Sequence, residues 1–211
     1  MAGLRRAARK IMGLPESLLA SGEFVEINGH PGIVPDLRYS TANNFTGRVL
    51  AGALNRALLH EDAAAKLKRA ADALCKLKPR HRLVIYDALR PRSVQWLLWN
   101  HVKGTAQEPY VAEPRRGSIH NYGMAIDLSI VDGQCRELDM GSHFDDFSEQ
   151  AEPRHEDELK RKGKLGDLQL GNRLLLRRVM EGAGFIQMPH EWWHYDALTR
   201  AQVEAGYRIV E

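Results

Sequence analysis

The chain has 211 residues, of which 44% are hydrophobic and 27% are charged. This length and composition are typical of one globular domain with a sizeable core, and no apolar run reaches the roughly 18 residues of a membrane span. The formal net charge is only +3, from 30 basic and 27 acidic residues spread along the chain. Such a balance argues against nucleic acid or an anionic membrane as the partner.

The cysteines and the N-terminus bear on the cellular compartment. Cys75 and Cys135 are too few for a disulfide scaffold, and the sequence alone does not exclude one disulfide bond between them. Cys75 lies within an apolar helical pattern, which predicts a buried free thiol. The N-terminus is basic, but Gly13 and Pro15 interrupt the apolar stretch 11–19, which is therefore a poor export signal. We expect a cytoplasmic protein.

The first part of the chain is predicted to contain short extended segments and one long helix. Residues 24–27 alternate like a strand, and residues 36–40 are predicted to be extended. The clearest helix is predicted for residues 60–77, because acidic residues occupy its first turn and a proline follows its end. Its apolar residues recur at helical spacing and form one face: Ala63, Leu67, Ala70, Ala71 and Leu74.

The central part of the chain contains the strongest strand patterns. Residues 82–87 form a near-continuous apolar run, typical of a strand buried on both faces, and a helix is predicted for residues 93–102. Residues 124–131 alternate, which places Asp127 on the face opposite the apolar side chains. An Asp-Gly turn signal follows and predicts a hairpin whose return strand is 137–140.

The last part of the chain combines irregular segments with a helix and a hairpin. Residues 104–117 are predicted to be an exposed loop, and residues 141–165 are predicted to be irregular with a short helix near their end. A helix is predicted for residues 168–181, with Leu170, Leu174, Arg177/Val179 and Met180 roughly on one face. Residues 185–186 and 192–196 are predicted to pair as one hairpin. Helices interspersed with hairpins predict an α+β fold, a single domain with a central antiparallel sheet flanked by helices.

Two short segments, 118–127 and 191–195, carry the candidate chemistry. The first contains His120 and Asp127, and the second contains Glu191 and His194. A carboxylate at Asp127, between two apolar neighbours, would be costly to bury without a compensating cation. His120 can fold back over the same face because the intervening glycine permits a sharp turn.

Each of these residues also has a simpler interpretation. A single histidine near a glycine-containing loop is more often structural than functional, and the tryptophans beside His194 by themselves indicate core packing. Considered together, the residues favour a catalytic zinc site, in which His120, Asp127 and His194 are ligands and water takes the fourth position. Glu191 then has no ligand role and can act as the general base. Arg90, which follows a buried strand, is the best-placed donor for a developing oxyanion, and a surface ion pair is its alternative role.

The two segments resemble a known family. The pattern Ser-x-His-x-x-Gly-x-Ala-x-Asp at 118–127 and the pattern Glu-x-Trp-His at 191–194 resemble the paired signature of the zinc D,D-peptidases. Longer matches resemble, within that family, the VanX-type D-alanyl-D-alanine dipeptidases, and they lie at residues 36–39, 44–45, 86–91, 138–141, 144–145 and 172–175. The resemblance extends over about residues 24–196. Leu89 departs from the pattern, since relatives often carry an aromatic residue there.

The resemblance implies a hedgehog/D,D-peptidase-like fold, with a catalytic domain at residues 24–211 after an N-terminal extension at residues 1–23. It implies one Zn²⁺ ion per chain, bound by the two histidines and the aspartate identified above. It also implies that Glu191 is the catalytic base and that Arg90 stabilises the tetrahedral intermediate. Finally, it implies that Tyr39 and Asp145 help to hold the dipeptide and that Ser118 lies beside it.

Three functions are compatible with these residues. The first is the hydrolysis of D-alanyl-D-alanine to free D-alanine, with a small dipeptide as the partner and the selectivity for D centres implied by the resemblance alone. The second is a zinc carboxypeptidase or endopeptidase that acts on longer peptidoglycan stem peptides. The third is a non-catalytic binding module with a structural zinc ion. A three-ligand set beside Glu191 argues against the third, because structural zinc sites usually have four protein ligands.

Overall fold

A computed structural model describes residues 13–51 and 55–211, so residues 1–12 of the predicted N-terminal extension lie outside the described part. The described residues form six α-helices and seven β-strands. In chain order these are α1 Leu14–Ser21, β1 Phe24–Glu26, β2 Ile33–Pro35, β3 Leu58–His60, α2 Glu61–Leu77, β4 Arg82–Asp87, α3 Arg92–Val102, β5 Ala125–Val131, α4 Glu156–Arg161, α5 Asp167–Gly182, β6 Ile186–Gln187, β7 His194–Asp196 and α6 Arg200–Gly206.

Five of the strands form the central sheet, in the order β2-β4-β5-β7-β6. The pairs β4·β5, β5·β7 and β7·β6 are antiparallel, whereas β2 runs parallel to β4 at one edge. Strands β1 and β3 form a separate antiparallel pair. This arrangement confirms the predicted α+β class, and the parallel edge strand is a feature that the sequence patterns did not predict.

Helix α2 forms as predicted and supplies much of the core. It begins at Glu61, and His60 caps it by accepting a hydrogen bond from the backbone N–H of Asp62. All five residues of the predicted apolar face are buried, and α2 packs against α5, β3 and β4. Leu67 and Leu74 have no exposed surface, and burial of each side chain stabilises the fold by about 1.5–3 kcal/mol.

Helix α5 forms close to the predicted bounds, and Val179 and Met180 of its predicted apolar face are buried. Leu174, which was predicted to face the core, is 47% exposed. Arg173 is buried instead, because its guanidinium donates hydrogen bonds to the carbonyl oxygens of Met140 (2.6 Å) and Gln150 (2.7 Å). The helix thus holds the polar segment between β5 and α4 by buried hydrogen bonds, which apolar periodicity could not reveal.

Three local predictions differ from the structure. The predicted return strand 137–140 does not form, and a single bridge joins Val131 to Glu137, because the carbonyl oxygens of Asp139 and Met140 accept side-chain hydrogen bonds from α5 instead of pairing with a strand. Part of the segment 36–40 is a 3-10 turn, not extended chain. In the second hairpin, β6 and β7 do pair, but β7 begins only at His194, so the two tryptophans precede the strand.

The cysteines are both free, but the predicted burial of Cys75 is wrong. Cys75 is exposed because it follows Leu74 on the helix, and a rotation of about 100° separates it from the buried face. Cys135 is also exposed and lies in the turn after β5. Within the described residues, no helix combines the length and the apolar character that crossing a bilayer requires.

Candidate active site

A short 3-10 turn, Ile119–Tyr122, places His120 shortly before β5. Ser118 caps this turn, since its Oγ accepts the backbone N–H of His120 at 3.3 Å. The turn ends at Gly123, whose φ of +66° favours glycine, and a Cβ atom there would lie 2.8 Å from the ring of Phe24. The sharp turn predicted before the strand is therefore present, and it directs His120 towards the centre of the sheet.

The strand register brings Asp127 and His194 together. Asp127 on β5 is directly opposite His194 on β7, and on its other side it is opposite Asp87 on β4. Side chains of directly opposed residues project from the same face of a sheet, so these groups share one face with His120. All four residues are buried.

The three predicted metal ligands converge. His120 Nε2 lies 3.2 Å from His194 Nδ1 and 3.3 Å from Asp127 Oδ1, and the distance between His194 Nδ1 and Asp127 Oδ1 is 2.9 Å. Tetrahedral coordination with bonds of about 2.0–2.2 Å would separate neighbouring ligand atoms by about 3.4 Å. The spacing of the three atoms therefore fits a single divalent cation.

The hydrogen bonds of the histidines fix which nitrogen faces the centre of the cluster. His120 Nδ1 donates to the carbonyl oxygen of Ala88 at 2.7 Å, and His194 Nε2 donates to Asp196 Oδ1 at 2.9 Å. The opposite ring nitrogens then present lone pairs to one another and to the carboxylate of Asp127. Metal-binding histidines are oriented by such contacts, and lone pairs that converge in this way could hold a metal ion.

The charges of the cluster support the same conclusion. Burial alone would raise the pKa of Asp127, but His120 and His194 hold it well below its usual range. Burial alone would lower the pKa of His194, but Asp196 and Asp127 raise it well above its ordinary value. The carboxylates thus favour a positive charge at this point, and either a proton or a metal ion can supply it.

Arg90 is buried beside the cluster, so it does not form a surface ion pair. Its Nε donates to Asp87 Oδ2 at 2.6 Å and its Nη1 donates to Gln95 Oε1 at 2.9 Å. Its Nη2 lies 3.5 Å from Asp127 Oδ2. Burial opposes the charge, but Asp87, Tyr39 and Asp127 together raise the pKa of Arg90 above its ordinary value, so the guanidinium stays cationic.

Glu191 lies in the turn before β7, as predicted. Its Oε2 is 3.7 Å from His194 Nδ1, which places the carboxyl next to the cluster without a close contact to it. Burial raises the pKa of Glu191 to about 7. A carboxyl group with such a pKa can accept and release a proton near neutral pH.

A cavity of about 120 Å³ opens over these groups. The three predicted substrate residues, Tyr39, Ser118 and Asp145, all line it together with Arg90 and Glu191. The hydroxyl of Tyr39 donates to Asp145 Oδ1 at 3.0 Å. Burial, with a contribution from the nearby Asp127 carboxylate, raises the pKa of Asp145 to about 8.

The sequence reasoning missed four polar residues that position the site. Asp87 and Gln95 hold Arg90, and Asp196 holds His194. Asn121 accepts the backbone N–H of Ser118 at 2.7 Å and donates to the carbonyl oxygen of Arg90 at 2.6 Å. A signal existed only for Asp196, because residues two apart on a strand lie on the same face.

Several known proteins are similar to this chain over most of its length. A family model described as D-ala-D-ala dipeptidase matches residues 22–208, a range that contains every predicted site residue. The chain is 35% identical over 166 residues to a D-alanyl-D-alanine dipeptidase of Escherichia coli, and the match covers 79% of each chain. It is 30% identical over 181 residues to a D-alanyl-D-alanine dipeptidase of Enterococcus faecalis, covering 78% of this chain and 85% of the relative.

Proposed function

Since this chain belongs to the D-Ala-D-Ala dipeptidase family and is therefore a peptidase, we propose that it hydrolyses D-alanyl-D-alanine to two molecules of D-alanine with the help of one zinc ion. The observation that carries the proposal is the convergence of His120, Asp127 and His194, with ligand atoms 2.9–3.3 Å apart, beside a buried glutamate. We further propose that residues 24–211 form the catalytic domain and that residues 1–23 precede it as an extension.

His120, Asp127 and His194 are the residues that would hold the metal. Zinc is proposed because two imidazoles and one carboxylate are a common ligand set of catalytic zinc, which keeps one position open for water. When bound, zinc lowers the pKa of water towards about 7 and polarises the scissile carbonyl. Asp196 keeps the imidazole of His194 in the required orientation through the hydrogen bond from Nε2.

Glu191 acts as the general base and then as the general acid. Its carboxylate accepts a proton from the attacking water as the new carbon–oxygen bond forms. The protonated Glu191 gives that proton to the amide nitrogen, and the carbon–nitrogen bond breaks to release an amine. Its pKa of about 7 suits both transfers near neutral pH.

Arg90 supplies a fixed positive charge for the oxygen of the scissile carbonyl. The guanidinium is cationic and buried, and its contacts to Asp87 and Gln95 hold it next to Asp127. Buried cations that are already oriented stabilise a developing negative charge with little reorganisation.

The walls of the cavity suit a short substrate. Asp145 and Tyr39 are proposed to hold the ammonium group of the dipeptide, and Ser118 to lie beside its backbone. A cavity of about 120 Å³ is small compared with the roughly 300–1,000 Å³ of pockets for larger ligands. This size favours a dipeptide over the longer peptidoglycan stem peptides of the second candidate function.

The test measures turnover of D-Ala-D-Ala, L-Ala-L-Ala and a pentapeptide that ends in D-Ala-D-Ala, each with and without a chelator. We expect turnover of the first substrate only, loss of activity with the chelator and recovery with Zn²⁺. Glu191→Ala should retain the metal, measured by elemental analysis, and lose turnover, whereas the exposed control Glu149→Ala should retain both. Activity of the metal-free enzyme, or normal turnover by Glu191→Ala, would refute the mechanism.

The location of the reaction stays a prediction. The sequence predicts a cytoplasmic enzyme, which would act on dipeptides inside the cell. Fractionation of cells followed by immunodetection of the chain tests this, and its recovery outside the cytoplasmic fraction would contradict it.

A further inference from the structure

Arg200 is a second arginine in the wall of the cavity, at the start of helix α6. Its Nη2 donates to the carbonyl oxygen of Gly117 at 3.1 Å, and its Nη1 donates to Glu204 Oε1 at 3.0 Å. Its side chain is 26% exposed. Each terminal nitrogen of a guanidinium carries two N–H groups. Nη1 and Nη2 of Arg200 therefore each keep one N–H group that these two contacts do not use.

A zwitterionic dipeptide requires a cation for its carboxylate. Among the described residues that line the cavity, the only arginines are Arg90 and Arg200, and none of these residues is a lysine. Arg90 is already engaged, since its Nε and Nη2 contact Asp87 and its Nη1 contacts Gln95. The edge of Arg90 formed by Nε and Nη2 is therefore occupied by Asp87, and the proposed function assigns its remaining N–H groups to the scissile carbonyl, which leaves Arg200 as the arginine for the carboxylate.

The wall that carries Arg200 is held in a fixed position relative to the catalytic groups. Gly117 has a φ of +81°, and a Cβ atom there would lie 2.8 Å from the side chain of Ile209. The next residue, Ser118, is tied through Asn121 to the backbone of Arg90. The hydrogen bond from Arg200 to Gly117 thus connects its guanidinium to the same rigid segment that positions His120.

On the basis of the proposed function, we propose that Arg200 binds the carboxylate of the substrate's free C-terminus. Asp145 and Arg200 then recognise the two charged ends of one small molecule from separate parts of the wall. Arginine suits this role because its planar fork matches a carboxylate and stays charged at every physiological pH. Arg200 thereby selects substrates whose chain ends one residue after the scissile bond.

The experiment compares D-Ala-D-Ala with its C-terminal amide, in which the carboxylate is absent and the rest of the substrate is retained. The wild-type enzyme should prefer the acid over the amide. Arg200→Met should lower kcat/KM for the acid about 10- to 100-fold, chiefly through KM, and should change the value for the amide less than about threefold. Arg200→Lys should give an intermediate loss, because it keeps the charge and loses the fork.

Glu204→Gln is the matched control, since it removes the ionic partner of Arg200 and retains the arginine. This variant should keep the preference for the acid, and thermal unfolding should show that each variant is folded. An equal loss for acid and amide in Arg200→Met would show that Arg200 only supports the wall. If Arg200→Met does not fold, Arg200→Lys is compared with the wild type instead. A loss of kcat/KM for the acid that exceeds the loss for the amide would support the role of Arg200, and equal losses would overturn it.

The failure of this inference is distinct from the failure of the proposed function. A wild-type enzyme that hydrolyses acid and amide equally well would overturn the role of Arg200 and leave the dipeptidase activity intact. A zinc-loaded enzyme that hydrolyses neither substrate would overturn the proposed function and this inference with it.

Discussion

The hydrogen bond from His194 to Asp196 offers a direct test of the metal site. Asp196 does not reach the centre of the cluster, but its Oδ1 accepts His194 Nε2–H at 2.9 Å. Asp196→Asn retains an oxygen at the same place and removes the negative charge. Asp196→Ala removes both the charge and the acceptor, so the imidazole of His194 loses its orientation.

The structure sets the size of the expected effect. The side chain of Asp196 is 19% exposed, so water screens part of its charge. Removal of a residue that orients a metal ligand typically weakens metal binding about 10- to 100-fold. We expect Asp196→Ala to weaken zinc binding by a factor in this range, which corresponds to about 1.4–2.8 kcal/mol, and Asp196→Asn to lie at its lower end.

Competition with a fluorescent chelator measures the zinc Kd of each variant. Asp72→Asn is a matched control, because Asp72 pairs with a histidine at the surface and its side chain is 63% exposed. The control should bind zinc as tightly as the wild type. Zinc affinity that is unchanged in both Asp196 variants would refute the reasoning, as would an equal loss in the Asp72 variant.

Three further predictions concern the base, the substrate and the core. Burial raises the pKa of Glu191 to about 7 and that of Asp145 to about 8, and both proposed roles need the carboxylate, so kcat/KM should rise with pH and level off only above about 8; a flat profile between pH 5 and 9 would contradict these roles. Asp145→Asn should raise KM for the dipeptide about tenfold with little change in kcat, and an equal loss for a substrate without the ammonium group would argue against the contact. Leu67→Ala should lower the free energy of unfolding by about 2–5 kcal/mol in urea titrations, whereas the control Leu168→Ala, at a position that is 71% exposed, should change it by less than about 0.5 kcal/mol.

Much of the fold could be predicted because neighbouring residues determine local structure. The helical spacing of apolar residues in α2 and the apolar run of β4 each correspond to an element with the predicted burial. The predictions failed where distant contacts override the pattern. Arg173 is buried in α5 because it bonds to carbonyl groups far away in sequence, and the return strand is absent because the carbonyls of Asp139 and Met140 bond to side chains of α5.

The candidate site, like the fold, could be predicted from the sequence only in part. The sequence by itself determined the kinds of group present and the face of β5 on which Asp127 lies, because residue types and the period of two are local properties. Only the tertiary structure decided that His194, 67 residues away, is opposite Asp127 and that Arg90 and Arg200 reach the same cavity. Strand register and the close approach of charged side chains depend on packing across the whole chain, and no short segment contains that information.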